Sequence, residues 1–220
     1  MATMNAPHVR TLGVTGGIGS GKSTVCRLLE ALGARVFYAD EEAKRLMTED
    51  PALRRAIVEA FGPESYLPDG RLNRAYLAEW VFHDPEALRR LNALVHPRVL
   101  EAFEQAREQA AREQVPLLVL EAALLFESGA DRLVDHVLVV DAPEAERIRR
   151  VVARDGVTPE QVRARMQHQL PPEELRRRAD FVLENTGSLE TLRQQVEALY
   201  RRLTSETETP GQKSIRPTDR

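Results

Sequence analysis

A glycine-rich stretch near the start of the chain carries the residues whose chemistry is clearest. Residues 16–23 read GGIGSGKS and fit the pattern G-x-x-x-x-G-K-[ST]. Glycines leave room for backbone amides to surround phosphate oxygens, the lysine adds a positive charge, and the serine hydroxyl can hold Mg²⁺. The pattern predicts a P-loop that holds a nucleoside triphosphate, and an unliganded glycine turn is disfavoured because a strand pattern precedes it and a helical pattern follows. The predicted contacts are Gly17, Gly19, Ser20, Gly21, Lys22, Ser23 and Thr24.

Acidic residues follow three other apolar runs. Asp40 comes after the run at residues 34–39, Glu121 after 116–120, and Asp141 after 136–140. Ligands lie beyond the carboxyl ends of parallel strands, so these residues are expected to meet the P-loop at one edge of a sheet. Asp40 is a candidate general base for a substrate hydroxyl and Glu121 a candidate Mg²⁺ ligand, directly or through water, although the two roles are interchangeable. Each carboxylate could instead cap a following helix, which is the favoured interpretation for Asp141.

Arginines cluster after the fourth apolar run. Phosphoryl transfer spreads negative charge over the γ-phosphate oxygens, so a kinase needs cations that arrive as its site closes. A lid over about residues 145–170 would supply them, although most arginine runs are solvated helical faces. Arg154, beside the turn at Gly156, is the predicted exception. The arginines of this segment are Arg147, Arg149, Arg150, Arg154, Arg163 and Arg165.

The spacing of apolar residues indicates the elements that must position this chemistry. A strand at residues 9–15, the glycine loop, a helix at 22–32 and a strand at 34–39 form a βαβ unit with parallel strands. Further strands at 116–120, 136–140 and 181–183 complete a predicted five-stranded parallel sheet. Helices are predicted at about 86–113, 143–154, 159–169 and 189–203. The stretch between the second and third strands is far longer than a crossover needs and predicts an inserted helical subdomain.

Composition excludes several classes of protein. With 42% hydrophobic and 30% charged residues, most of the chain is expected to fold. The formal charge of -3 argues against a surface that binds nucleic acid, and the single Cys26 cannot form an internal disulfide. Without a signal core or an apolar run near the length of a bilayer, we expect a cytoplasmic protein that does not enter a membrane. Residues 205–220 lose apolar residues and gain Ser, Thr and Pro, which predicts a disordered tail.

Three classes of nucleotide-dependent protein share such a loop, and missing motifs separate them. The chain contains neither the N-K-x-D and D-x-x-G motifs of a GTPase nor an LSGGQ-like signature of a transporter ATPase. A small-molecule kinase is therefore favoured. A non-enzymatic nucleotide switch is the distant alternative.

Taken together, these segments resemble the dephospho-coenzyme A kinase family, which uses ATP to phosphorylate the ribose 3′-hydroxyl of dephospho-CoA. The resemblance begins with GVTGGIGSGKST and continues at Tyr38-Ala39-Asp40. It runs from about residue 10 to 203, and Ala123 stands where the family usually has proline. The other matching segments are Phe61-Gly62, Asp69-Gly70 with Arg74, Leu91-Asn92, His96-Pro97, residues 124–127, Arg154-Asp155, Gln169, and residues 179–182 with Asn185 and Gly187.

The resemblance implies a role for several of these residues. Asp40 would accept the ribose proton, while Lys22 and Arg154 would stabilise charge on the transferred phosphoryl group. Arg154 would contact the ATP phosphates. Asn185 and Gly187 would lie on the adenine side.

Two residues of the insert are candidates for binding the second substrate. Arg74 suits a bidentate grip on the pyrophosphate of dephospho-CoA, and the alternative is an ordinary surface arginine. His96 would also bind this substrate. The alternative for His96-Pro97 is a helix start with a buried histidine.

The sequence as a whole predicts an α/β P-loop kinase with a five-stranded parallel sheet, an inserted helical substrate domain and a helical lid. The core would comprise residues 8–40 and 114–204, and the dephospho-CoA domain residues 41–113. We expect ATP as phosphoryl donor, Mg²⁺ held by Ser23 and Glu121, dephospho-CoA as the small-molecule substrate, and a monomer or weak homo-oligomer. A P-loop kinase of another nucleoside or nucleotide is the alternative.

Overall fold

The computed structural model describes residues 8–205. Residues 206–220 of the predicted disordered tail lie outside the described residues, whereas Ser205 is the last residue of the final helix. No helix within the described part of the chain is long and apolar enough to cross a membrane.

Five parallel strands form one sheet in the order β2-β3-β1-β4-β5, as the sequence predicts. The three central strands are buried apolar runs that pack on both faces, as in a parallel sheet covered by helices, whereas the two edge strands are partly exposed. The register places Glu121 beside both Val14 and Tyr38, so three strands end together at the edge that receives ligands. The strands are β1 (Thr11–Thr15), β2 (Arg35–Tyr38), β3 (Leu118–Glu121), β4 (His136–Asp141) and β5 (Phe181–Glu184).

Nine α-helices and two short 3-10 turns lie within the described residues. Local sequence signals fix several of their ends: Asp50 accepts from two backbone amides at the start of the third helix, and Thr158 forms a capping box with Gln161. The helices are α1 (Lys22–Ala31), α2 (Ala39–Glu49), α3 (Pro51–Phe61), α4 (Arg74–His83), α5 (Pro85–Arg112), α6 (Glu144–Asp155), α7 (Pro159–Met166), α8 (Pro172–Arg178) and α9 (Leu189–Ser205).

The sheet separates two apolar layers. On one face, α1 and α9 pack against β1, β3 and β4 through residues such as Leu29 and Val196. On the other face, the end of α5, the segment after β3 and Leu175 of α8 form a second cluster. Helices therefore cover both faces of the central strands, and the carboxyl ends of these strands form a rigid edge of the sheet.

The inserted segment has a small core of its own. Helices α2 to α5 enclose Leu53, Ile57, Phe61 and Leu77 together with one end of α5. At 28 residues, α5 is about 42 Å long, and its other end reaches the sheet, where Phe103 meets Phe37 edge to face. One rigid helix thus joins the insert to the sheet.

Several sequence expectations are corrected. The second strand ends at Tyr38, and Asp40 lies in the first turn of α2, where acidic residues complement the helix dipole. The helix predicted at 159–169 ends earlier, at Met166, and the sequence did not predict α8, which begins at Pro172, a favourable first residue of a helix.

Two further interpretations are wrong: a helix start at His96-Pro97 and a helix cap at Asp141. His96-Pro97 lies in the middle of α5 rather than at a helix start. Asp141 does not cap α6, whose N-cap is Pro143. Its carboxylate instead accepts from the next amide, Ala142 N, and pairs with Arg176 at 2.7 Å.

Candidate active site

The P-loop joins β1 to α1 and depends on glycine at its close approaches. Gly16 has φ +144, and a Cβ there would lie 2.1 Å from the carbonyl oxygen of Val140. Gly21 has φ +107, and its Cβ would lie 2.2 Å from Nδ2 of Asn185. Other residues rarely adopt these conformations, so the glycines let β4 and the loop after β5 press against the phosphate-binding turn.

Lys22 is the cation of this loop. Its Nζ donates to the carbonyl oxygen of Gly16 at 2.9 Å. Burial lowers the pKa of Lys22 below its ordinary value, and the negative charges of Glu121 and Asp40 act in the opposite direction. The structure therefore brings the predicted cation and both predicted carboxylates into one electrostatic cluster.

Glu121 closes β3 inside this cluster and is only 7% exposed. Burial raises the pKa of Glu121, the ammonium of Lys22 partly offsets that rise, and the nearby charge of Asp40 adds to it. A carboxylate that is hard to ionise beside a buried lysine is a site that gains from an added cation.

Asp40 lies where α2 leaves the sheet, with an exposed side chain. The helix begins without a side-chain cap, so the capping alternative for Asp40 is not what the structure has. Asp40 also interacts with half-buried His96 of α5, whose pKa is lowered by burial while the carboxylate of Asp40 counteracts the shift. Asp40 therefore stands between the P-loop and the insert.

The remaining basic candidate of the insert, Arg74, is exposed at the first residue of α4. The pKa of Glu41 is lowered mainly by a hydrogen bond from Lys44, with a smaller contribution from Arg74. Since Glu41 follows Asp40, Arg74 faces the same end of α2. It lies at the rim of the site and does not join the buried cluster.

The lid arginine Arg154 is paired with its neighbour. Its Nε and Nη2 donate to Asp155 at 2.6 and 3.0 Å, and Arg165 donates to the same carboxylate. The charge of Arg154 nevertheless makes a small contribution to the lowered pKa of Lys22, so the two cations lie within electrostatic reach of each other. To contact a phosphate, Arg154 would have to break its ion pair with Asp155 and pair with the phosphate instead.

The two residues predicted on the adenine side lie in the loop after β5. Asn185 Nδ2 donates to the carbonyl oxygen of Ser20 at 2.8 Å, and its own backbone amide donates to Asp141. Gly187 lies exposed two residues further on. The side-chain amide of Asn185 thus holds the P-loop in place.

Three residues outside the predicted phosphate-loop contacts also lie against the P-loop. Gln169 accepts from the amide of Ile18 at 2.8 Å and donates to the carbonyl oxygen of Ala123 at 3.1 Å, so it ties the P-loop to the segment after β3. Arg150 donates to carbonyl oxygens of the P-loop and of Asn185. Arg147 is buried against Gly17. Gln169 belongs to one of the segments that carry the family resemblance. The contacts of these three residues with the P-loop join parts of the chain that are far apart in the sequence, so no local sequence pattern predicts them.

The oxygen donors at the site fit Mg²⁺. Among the described residues, no three His, Cys, Asp or Glu side chains converge into a metal cage. The exposed Ser23 and the carboxylate of Glu121 instead offer two oxygen donors beside the loop that takes phosphates. Mg²⁺ keeps several waters and is bound through few protein oxygens plus substrate phosphates, so this sparse set suits it.

Comparison with known proteins decides the family. The family model for dephospho-CoA kinase matches residues 10–191, most of the chain. The chain belongs to the dephospho-CoA kinase family. It is therefore a kinase, and the resemblance carried by its motifs is confirmed.

Individual relatives of this family agree with that membership. The dephospho-CoA kinase of Salinibacter ruber is 63% identical over 190 residues, which cover 86% of this chain and 96% of the relative. The solved dephospho-CoA kinase of Campylobacter jejuni is 28% identical, with a TM-score of 0.67 over 89% of this chain and 97% of that one. Shikimate kinase of Acinetobacter baumannii, 15% identical with a TM-score of 0.55 over 92% of this chain and 97% of that one, shares the fold.

Proposed function

We propose that this protein transfers the γ-phosphoryl group of ATP to the ribose 3′-hydroxyl of dephospho-CoA, giving coenzyme A and ADP in the last step of CoA biosynthesis. The observation that carries the proposal is the cluster of Lys22, Glu121 and Asp40 at one edge of the sheet, in a chain that belongs to this family. A phosphate-binding loop, a buried cation and an accessible carboxylate are the parts that phosphoryl transfer to an alcohol requires.

Asp40 serves as the general base. It is exposed, belongs to the element that connects the sheet to the insert, and lies within electrostatic reach of Lys22. The 3′-hydroxyl gives its proton to this carboxylate while its oxygen forms a bond to the γ-phosphorus, and the bond from that phosphorus to the β,γ-bridging oxygen breaks. The electron pair of the broken bond leaves with ADP.

Lys22 and Arg154 stabilise the charge on the transferred group. Lys22 already lies on the loop, so it needs only to exchange the carbonyl oxygen of Gly16 for a phosphate oxygen. Arg154 reaches the phosphate after it leaves Asp155. Such fixed cations in a site from which water is excluded are the main source of rate enhancement in this chemistry.

Mg²⁺ would be held by Ser23 and Glu121. When bound, the ion would supply positive charge that stabilises the transferred phosphoryl group. Gly17, Gly19, Ser20, Gly21 and Thr24 line the loop that takes the phosphates, and Asn185 with Gly187 borders the adenine.

Residues 41–113 serve as the domain for dephospho-CoA. The charge of Arg74 acts on Glu41 and that of Asp40 acts on His96, which supports a place for both residues near the end of α2 that carries Asp40. In these roles Arg74 binds the pyrophosphate and His96 contacts the substrate beside its reactive hydroxyl. Residues 145–170 act as the lid over the nucleotide.

The substrate is tested by supplying ATP and Mg²⁺ with dephospho-CoA, dAMP or dTMP in turn and following ADP formation. The proposal expects turnover with dephospho-CoA and little with the other two. Turnover only with another acceptor would contradict the substrate and leave the kinase class standing. If no acceptor reacts and nucleotide exchange changes partner binding, the switch alternative is supported.

The cellular location and oligomeric state of the enzyme are also proposed here. We propose a cytoplasmic protein that is a monomer or weak homo-oligomer and that binds neither nucleic acid nor membrane, in keeping with its charge of -3. Sedimentation at micromolar concentration should give a mass near the 24.8 kDa of one chain.

A further inference from the structure

A cavity of about 470 Å³ lies beside the P-loop, between α6 and the start of α8. Gly17 of the P-loop forms one wall, and Leu170, Pro171 and Leu175 form the opposite side. Lys22, whose Nζ donates to the carbonyl oxygen of Gly16, is not among the residues that line this cavity. The cavity is therefore a neighbour of the phosphate cradle and has its own lining.

Arg147 is the unusual residue of this lining. It is only 6% exposed, and its Nη1 lies so close to Gly17 that a Cβ there would be 2.2 Å away. Its Nε donates to the carbonyl oxygen of Ala142 at 3.1 Å. Within residues 8–205 that is the hydrogen bond the guanidinium makes to protein, and no carboxylate pairs with it.

The other arginines of α6 are satisfied differently. Arg149 and Arg150 both donate to Glu146, and Arg154 donates to Asp155. A guanidinium stays charged at every accessible pH, and a buried charge without a counter-ion is costly. Arg147 is thus a permanent buried cation, it lines the cavity, and no carboxylate compensates its charge.

The rim of the cavity adds a second cation. Arg163 of α7 lies there and approaches Glu144 and Glu160 only at 3.8 and 3.7 Å, too far for hydrogen bonds. The Glu144 carboxylate also lines the cavity, so its wall carries two positive charges against one negative. This balance favours an anion, and planar guanidinium groups match the geometry of phosphate oxygens.

We propose that this cavity is an anion site, in which Arg147, assisted by Arg163, binds a phosphate-type oxyanion. The anion would link the P-loop at Gly17 to α6 and α7, the helices of the lid. Its source is either a free anion such as inorganic phosphate or the γ-phosphoryl end of the bound nucleotide. The site goes beyond the proposed reaction, which assigns its phosphate contacts to Lys22 and Arg154.

The test measures binding of inorganic phosphate to the full chain by calorimetry, with the P-loop first saturated by ADP and Mg²⁺. The wild type should bind one phosphate, Arg147→Met should weaken that binding by roughly tenfold or more, as expected for loss of a charge-assisted contact, and Arg163→Gln by less. Arg149→Gln is the matched control, since this arginine lies on the same helix, points outward and pairs with Glu146. It should leave phosphate binding unchanged.

A second arm distinguishes the two sources. If the γ-phosphoryl group fills the cavity, replacing ADP with a non-hydrolysable ATP analogue should abolish phosphate binding; if the anion is free, phosphate should bind beside either nucleotide. Equal phosphate binding by wild type and Arg147→Met would overturn the proposal. So would the absence of phosphate binding to the ADP complex together with unchanged affinity of Arg147→Met for the ATP analogue.

Folding of the variant is checked separately. Thermal melting and ADP affinity of Arg147→Met should remain close to those of the wild type, because the phosphate contacts of ADP are assigned to Lys22 and the P-loop and not to Arg147. Should Arg147→Met fail to fold, the exposed Arg163→Gln carries the same test. Phosphate affinity of Arg163→Gln equal to that of the wild type would then contradict the role of the rim.

Discussion

Glu121 and Lys22 are charged groups that burial disfavours, and each is partly stabilised by the other. Desolvation raises the pKa of Glu121 and lowers that of Lys22, and in both cases the opposite charge counteracts the shift. The fold therefore holds an incompletely compensated cluster at the place where nucleotide phosphates and Mg²⁺ would add charge. This cluster lowers the stability of the free protein and favours the binding of nucleotide and Mg²⁺, a trade-off that is common at functional sites.

The variant Glu121→Gln tests the free-energy cost of ionising this buried carboxylate, because that cost depends on pH. The pKa of Glu121 is raised in the folded protein, so the cost of ionising it is complete above that folded pKa and disappears below the ordinary value of 4.5. In buffer without nucleotide or metal, the variant should melt higher than the wild type at pH 8, by on the order of 1 kcal/mol or about 2–4 °C. The advantage should shrink as the pH falls toward 4.5.

The exposed Glu173→Gln on α8 is the control and should leave the melting curve unchanged at every pH. A stabilisation by Glu121→Gln that does not change with pH, or a loss of stability at pH 8, would contradict the account of the buried carboxylate. Turnover of Glu121→Gln should fall, since the variant loses the charge assigned to Mg²⁺.

At the scale of elements, the conformation of the P-loop depends on the close packing of β4 against Gly16. A Cβ on Gly16 would meet backbone, the carbonyl oxygen of Val140, at 2.1 Å, and φ +144 adds strain. Gly16→Ala should therefore cost about 3 kcal/mol or more in urea unfolding and abolish ATP binding.

Gly156→Ala separates strain from collision. Gly156 has φ +67 at the end of α6, and nothing lies within 4 Å of the position of its Cβ. The same substitution there should cost only about 1–2 kcal/mol and leave ATP binding intact. Equal costs at Gly16 and Gly156 would contradict the close packing of β4 against the loop.

Gln169, at the end of the proposed lid, is bonded to the P-loop. Its side chain occupies the amide of Ile18 and the carbonyl oxygen of Ala123 together. Gln169→Ala should speed hydrogen exchange at the Ile18 amide about 5- to 10-fold, the equivalent of one hydrogen bond, and raise the KM for ATP. The exposed neighbour His168→Ala is the control, and unchanged exchange at Ile18 in Gln169→Ala would refute the coupling.

At the scale of the whole molecule, the sequence predicts the sheet and the ligand edge because both follow from local patterns. Buried strands are short apolar runs, and the P-loop motif carries its own strand and helix. The same reasoning placed Asp40 and Glu121 at one edge, and the cluster with Lys22 agrees.

Other features depend on tertiary contacts and were not predictable in this way. Pro97 lies within α5, although proline usually ends a helix, because the long helix is packed at both ends against two apolar clusters. The roles of Arg147 and Gln169 arise from partners far away in the sequence, with Ile18 151 residues from Gln169. Spacing rules describe neighbours along an element and cannot reveal such pairs.

The account as a whole rests on transfer of a phosphoryl group to one hydroxyl with Asp40 as base. The most direct measurement follows ATP and dephospho-CoA with the wild type and Asp40→Asn by ³¹P NMR. The wild type should produce ADP and a phosphomonoester on the ribose 3′ position in equal amounts, while Asp40→Asn should bind ATP normally and turn over about 10²–10⁴-fold more slowly. ADP with inorganic phosphate instead of the monoester, or near-normal turnover by Asp40→Asn, would contradict the account.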